Sequence, residues 1–235
     1  MILYGRNPVR EALHAGRRPV HRVWATRRAA ELGWLREVPV EAAGEHEIEA
    51  RCGSPDHQGV CAEAAGYPYV DADRLLDSDD ALVVCLDEVQ DPHNLGAVCR
   101  VAESAGAAGV VIPERRAAEV TPAACKASAG AVEHLAVARV RNLADWLGVA
   151  KERGAWVYGT DASAGVPYER PDYGGRVVLV LGSEGRGLRP RVADSCDELI
   201  SLPQRGKVGS LNVATAASAL LYGILQSREG LDRDP

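Results

Sequence analysis

The stretch Val177-Val-Leu-Val-Leu-Gly-Ser-Glu-Gly-Arg-Gly-Leu188 decides how the chain is read. Five apolar residues, Val177 to Leu181, make a run typical of a buried strand. Three glycines then alternate with Ser183, Glu184 and Arg186, so backbone replaces side chain where the strand ends. Further on, Arg205-Gly-Lys-Val-Gly-Ser-Leu-Asn212 opens a long alanine-rich helix. Upstream, Asp91-Pro-His-Asn-Leu-Gly96 separates the apolar run 81–86 from a helix carrying Arg100. Three polar loops at the ends of hydrophobic runs predict one site at one edge of one sheet.

The rest of the chain fits that frame. From Ala81 the pattern alternates, with strands expected at 81–86, 109–112, 155–160, 177–181 and 198–202. Helices are expected at 95–105, 121–129, 142–152 and 210–227, with a short one near 189–194 and Ser210 capping the last. Strands alternating with helices imply an α/β fold with a parallel sheet covered on both faces, right-handed and unknotted by default. The first 66 residues read as a smaller α/β unit. Its helix begins at Asn7-Pro8, a cap followed by a proline, and continues to Leu13; a strand at 20–25, short helices at 31–36 and 45–52 and a last strand at 59–63 follow. Residues 67–80, with Pro68 and many acids, read as the linker, and 81–235 as the second unit.

With 235 residues, 46% hydrophobic and 26% charged, the chain can bury a proper core. No apolar run is long enough to cross a bilayer and the N-terminus has no signal-peptide pattern, so a cytoplasmic protein without a membrane partner is expected. The six cysteines form no C-x-x-C pair and have no histidine at ligand spacing, which predicts reduced, mostly buried thiols and no metal. The net charge of −6 argues weakly against a polyanionic partner, but its distribution matters more. Residues 1–40 hold eight arginines against Glu11, Glu31 and Glu37, whereas 41–80 are acidic. The first forty residues are therefore either a phosphate-facing surface or a solvated arginine-rich face.

Gly182-x-x-Gly185-x-Gly187 is not the dinucleotide fingerprint, and no Gly-Lys-Ser/Thr is present to hold a triphosphate. Glu184 can anchor a polar group or cap a turn. Asn212 offers both a donor and an acceptor. Asn94 precedes Arg100 by six residues. An arginine among Val98, Val101 and Ala102 needs an acceptor, which is a phosphate or a carboxylate such as Glu103 or Glu184. His93 has no partner at useful spacing and reads as structural.

Together Asn94-Leu-Gly-Ala-Val-Cys-Arg100, Leu181-Gly-Ser-Glu-Gly-Arg-Gly187 and Ile200-Ser-Leu-Pro203 with Gly209-Ser-Leu-Asn-Val213 resemble the three signature motifs of the SpoU/TrmH branch of the SPOUT methyltransferases, which methylate RNA ribose 2′-hydroxyls. Tyr4-Gly-Arg-Asn-Pro-Val-Arg-Glu-Ala-Leu13 and His57-Gln-Gly-Val60 resemble that branch's substrate-binding domain. The layout is most like that of bacterial enzymes acting on a 23S rRNA guanosine. The resemblance implies a C-terminal trefoil knot, against the unknotted default. It also implies S-adenosylmethionine as cofactor and a homodimer packed through helices that include the last. By motif position, Gly182, Leu202 and Leu211 would contact the cofactor, with Thr160, Gly185, Ile200 and Ser210 beside them. Arg100 would act at the hydroxyl, with Asn94, Glu184, Ser210 and Asn212 around it. Ala214 stands where many relatives have Ser, at a position not needed for these roles.

Methyl transfer to a hydroxyl needs in-line placement and loss of a proton, and placement alone supplies about 7–11 kcal/mol at best. A guanidinium, with a pKa above about 12, is a poor base. Arg100 is expected instead to grip an RNA phosphate and stabilise the developing alkoxide, the proton leaving to that phosphate, to water or to a transiently neutral Arg100. The rival expectations are a tRNA ribose as substrate, or a silent RNA-binding or ribosome-assembly factor on the same scaffold.

Overall fold

The computed structural model describes residues 1–207 and 209–231; Val208 and residues 232–235 of the expected second unit lie outside the described residues. The N-terminal unit contains β1 (Ile2–Tyr4), α1 (Arg6–Ala15), β2 (Val20–Ala25), α2 (Arg27–Ala30), β3 (Glu41–Ala42), α3 (Glu45–Cys52) and β4 (Val60–Ala64). Its sheet runs β1-β4-β2-β3, with β4 antiparallel to both neighbours and β3 parallel to β2. Two local expectations are corrected. The turn into α1 is made at Gly5, whose N–H donates to the Val60 carbonyl, so Asn7 lies inside the first turn and caps nothing. The helix expected at 31–36 is instead α2, started early by the Thr26 hydroxyl accepting from the Ala29 N–H at 3.2 Å, followed by a 3-10 turn at Gly33–Leu35.

The second unit contains β5 (Leu82–Leu86), α4 (Pro92–Ser104), β6 (Gly109–Pro113), α5 (Pro122–Ala127), β7 (Ala136–Val140), α6 (Leu143–Glu152), β8 (Trp156–Thr160), β9 (Val166–Pro167), β10 (Val177–Leu181), α7 (Pro190–Asp194), β11 (Glu198–Ser201) and α8 (Val213–Leu231). The sheet order is β7-β6-β5-β10-β8-β11-β9, and every pairing is parallel. β10 enters between β5 and β8, which precede it in the chain. One face of the sheet packs against α4, α5 and α8, in a core continuous with that of the N-terminal unit; the other packs against α6 and α7. All five expected strands are present. β7 and the two-residue β9 were not expected. Ala136-Val-Ala-Arg-Val140 is as long as the strands that were expected, but its alanines and Arg139 break the apolar run, so it does not stand out.

The stretch 67–80 is packed along the second unit. The Tyr67 hydroxyl meets the Val132 and Leu135 carbonyls at 3.1 and 2.7 Å. The Val120 N–H donates to the Tyr69 hydroxyl at 2.9 Å, and Val70 N–H to Val137 O at 3.0 Å. A 3-10 turn at Ala72–Leu76 then buries Leu75 and Leu76. Deeper in the joint between the units, Arg18 is 4% exposed and forks onto Glu133, which is 1% exposed; its Nε reaches Oε2 at 3.0 Å and its Nη1 reaches Ala65 O at 2.9 Å. Burial lowers the Arg18 pKa and the Glu133 carboxylate more than restores it, so the guanidinium is held above its ordinary value. The cysteines are free; Cys61, Cys85, Cys99 and Cys125 are buried, and Cys52 and Cys196 half-buried.

Candidate active site

The loop after β10 is folded by its glycines. Ser183 and Gly187 exchange backbone hydrogen bonds of 3.2 and 3.0 Å, closing a tight turn. A Cβ on Gly182 would lie 2.2 Å from the Gly187 carbonyl carbon, so only glycine lets the two arms meet; Gly187 itself turns with φ of 67°. The exit is pinned by Asp87, fully buried directly after β5. It accepts from the Arg189 N–H at 2.8 Å and from Arg189 Nε at 2.7 Å. Asp87 escaped the sequence reading; its one signal was a carboxylate immediately following an apolar strand.

α4 begins three residues earlier than expected, because Asp91 Oδ1 accepts from the His93 N–H at 2.8 Å and Pro92 takes the first helical position. Asn94 therefore sits in the first turn, where Nδ2 donates to Glu184 Oε1 at 3.2 Å. Asn212 Nδ2 donates to the same oxygen at 2.6 Å and to Asn94 Oδ1 at 2.9 Å, and the Val213 N–H approaches Glu184 Oε1 at 3.4 Å. Asn212 Oδ1 also accepts from Ala214 and Thr215 N–H at 2.9 and 3.4 Å. Asn212, not Ser210, is thus the side chain that caps the last helix, and α8 starts at Val213 rather than 210. One carboxylate at the positive end of α8 ties together three loops separated by up to 118 residues.

Beside this cluster lies a pocket of about 300 Å3 at the C-terminal ends of β10, β8 and β11. Thr160, Gly182, Gly185, Ile200, Leu202, Ser210 and Leu211 all line it, as does Glu184. Asp161 and Gln204 line it too and were not anticipated. Its walls offer apolar side chains and backbone polar groups of the glycine turn, with few charges. That suits a flat aromatic ring with a polar tail.

Arg100 stands apart. Six residues along a helix turn a side chain about 240°, so it projects from the far side of α4. There it lines a separate cleft with Asn7, Glu11, Glu103 and His134. It is exposed and has no side-chain acceptor among the described residues, so neither Glu103 nor Glu184 is its ion-pair partner. Of the five catalytic candidates, Asn94, Glu184 and Asn212 touch one another and Ser210 lines the pocket; within one chain Arg100 does not join them. His93 contributes only its backbone N–H to the α4 cap.

Comparison with known proteins points to one family. The SpoU rRNA Methylase family profile matches residues 81–222, and the profile for RNA 2′-O ribose methyltransferase substrate binding matches residues 2–70. The Bacillus subtilis protein YacO, assigned to the TrmH family of tRNA/rRNA methyltransferases, is 39% identical over 237 residues, covering 95% of this chain and 94% of its own. The SpoU methyltransferase AviRb from Streptomyces viridochromogenes, solved with AdoMet, superposes with a TM-score of 0.81 at 27% identity over 97% of this chain and 90% of its own. An AdoMet-bound rRNA methyltransferase from Sinorhizobium meliloti gives 0.80 at 26% over 98% and 87%. With one profile covering residues 81–222, the other residues 2–70, and a relative 39% identical along nearly the whole chain, the chain belongs to the SpoU rRNA methylase family of RNA 2′-O-ribose methyltransferases.

Proposed function

We propose that the chain methylates the ribose 2′-hydroxyl of a guanosine in 23S rRNA in the cytoplasm, using S-adenosylmethionine held in the pocket after β10. The observation that carries this is the convergence of Asn94, Glu184 and Asn212 at the rim of a pocket lined by all seven residues assigned to the cofactor. The residues fit that group. Ile200, Leu202 and Leu211 would offer apolar surface to an adenine, and the backbone of the turn at Gly182 and Gly185 would offer it hydrogen-bonding groups. The bound sulfonium supplies an electrophilic methyl group, so that an S–C bond breaks and an O–C bond forms as the hydroxyl loses its proton.

The protein's share is placement. Glu184 holds the start of α8 against the glycine loop, fixing Ser210 and Asn212 relative to the pocket. Arg100 grips a phosphate next to the target ribose and stabilises the alkoxide, the proton leaving to that phosphate, to water or to a transiently neutral Arg100. Because Arg100 projects away from its own chain's pocket, the Arg100 serving each pocket comes from a second copy of the chain. Thr215, Ala219, Tyr222 and Gln226 form an exposed stripe along α8, small enough at two positions for a second copy to approach closely. This supports a homodimer. A knotted path is supported by β10 entering between earlier strands and by α8 returning to pack on α4. The rRNA substrate is favoured over tRNA because the rRNA methyltransferase of S. meliloti aligns across the N-terminal unit as well.

The test pairs calorimetry with mapping. S-adenosylmethionine should bind the purified chain, and one 23S guanosine should lose its ribose methyl group in cells lacking the protein. A methyl group lost from tRNA instead would move the substrate, and no heat with no transfer would favour the silent factor. Arg100→Lys, which keeps the charge and loses the fork, should retain cofactor binding and lose most turnover; near-full turnover would refute the role given to Arg100.

A further inference from the structure

The same sheet edge carries a second, larger cleft that the reaction as described does not use. It has a volume of about 910 Å3 and opens at the C-terminal ends of β6 and β7. Five arginines line it, Arg115, Arg116, Arg141, Arg189 and Arg191, against a single carboxylate, Asp145. In a chain with a net charge of −6 this is a local reversal of sign. Three of the five are engaged. Arg189 is held by buried Asp87, Arg191 pairs with Asp145, and Arg116 lies 3.4 Å from Glu88. Arg115 and Arg141 are exposed and have no side-chain acceptor among the described residues. They come from different loops, 114–116 and 141–142, yet face one cavity.

We propose that this cleft binds the phosphate backbone of the substrate RNA on the side of the target nucleotide away from the cofactor pocket. The inference rests on the RNA-methyltransferase reading and adds a track to it. Unpaired guanidiniums in a concave site call for phosphate oxygens, which they bind in bidentate fashion. Arg189 connects the two sites physically: its backbone closes the glycine loop onto Asp87 and its side chain lines the cleft. Strands sit about 4.8 Å apart, so the ends of β6 and β10, with β5 between them, are separated by roughly 10 Å. An RNA strand leaving the pocket crosses that gap within a few nucleotides. A protein partner is disfavoured, because Val149 is the one exposed large apolar residue in the lining among the described residues, and protein interfaces need an apolar centre.

The test is Arg115→Ala/Arg141→Ala in the full chain, with deproteinised total bacterial rRNA as the probe. Both side chains are exposed and unpaired, so the thermal melt should match wild type. Affinity should fall on the order of tenfold at physiological salt, and the slope of log K against log salt should shrink by about 2. S-adenosylmethionine affinity should not change. Arg36→Ala, at an exposed arginine of the N-terminal unit that does not line the cleft, should not reproduce the change in slope assigned to Arg115 and Arg141. If wild type binds rRNA and the double variant binds it with the same affinity and slope, the cleft is not a phosphate track, while the methyltransferase reading stands. If wild type binds no rRNA, both fall together.

Discussion

Arg18 and Arg100 show two opposite uses of one side chain. Arg18 is 4% exposed and every direction of its fork is answered, by Glu133, by Ala65 O and by the Cys125 sulfur at 3.7 Å. Arg100 is exposed and unanswered among the described residues. The first region is a joint. It locks the N-terminal unit onto the second unit, helped by Arg17 Nη1 on Leu135 O at 2.6 Å and by His134 Nε2 beside Glu11 at 2.9 Å. The second region keeps its hydrogen-bonding capacity unused, as the hold on an RNA phosphate proposed for Arg100 requires. Satisfied charge fixes where the N-terminal unit stands; unsatisfied charge stays available to a ligand.

Removing one side of the joint should have the largest effect. Arg18→Met strands the Glu133 carboxylate in a buried position, which costs about 3–5 kcal/mol in urea unfolding followed by circular dichroism. Arg18→Met/Glu133→Leu should recover most of that loss, because an apolar pair needs no compensation. A loss below about 1 kcal/mol in the single variant would mean that this ion pair does not hold the units together.

The site should respond in the reverse manner, through activity rather than stability. Glu184 is exposed, so Glu184→Gln should change unfolding free energy by no more than about 0.5 kcal/mol. The charge-assisted bonds to Asn94, Asn212 and the Val213 N–H are weakened, and with them the registration of α8 on the glycine loop. Turnover should fall about 10- to 100-fold, the range expected when one positioned polar group near a reacting centre is lost. Equal losses of stability and activity would erase the distinction between joint and site.

That distinction also explains what was legible in the sequence. The residues of the site lie in glycine-punctuated turns and at a helix start, and the family resemblance is what assigned them. The seven residues expected at the cofactor all line the pocket after β10, and Asn94, Glu184 and Asn212, expected around one hydroxyl, bond to one another. Arg100 was expected among them and, within one chain, is not; six residues along α4 turn it about 240° round from Asn94. The joint was invisible. Arg18 and Glu133 are 115 residues apart; Arg18 looks like one more charge in an arginine-rich stretch, and Glu133 like a lone surface acid among alanines and valines. The stretch 67–80 read as a linker for a related reason. Its acids and Pro68 dominate the pattern, while Tyr67, Tyr69 and Leu76 do the packing. Asp87 belongs to the same class, a buried carboxylate whose partner lies 102 residues on.

The smallest effect tests whether the joint opens by itself. Burial pushes the Cys125 thiol up to about 12, and its sulfur touches Arg18. Cys85, inside β5, is likewise pushed up by burial but packs on the other face of the sheet, away from the joint. Alkylation proceeds through the thiolate and needs access, so at pH 8 both should label far more slowly than half-buried Cys52. Arg18→Lys keeps the charge and loses the fork, loosening the joint without stranding Glu133. Cys125 should then label on the order of tenfold faster while Cys85 keeps its wild-type rate, the signature of a local opening. If both thiols accelerate equally, the chain opens as one cooperative body, and the joint and the catalytic core are a single structural unit despite their different chemistry.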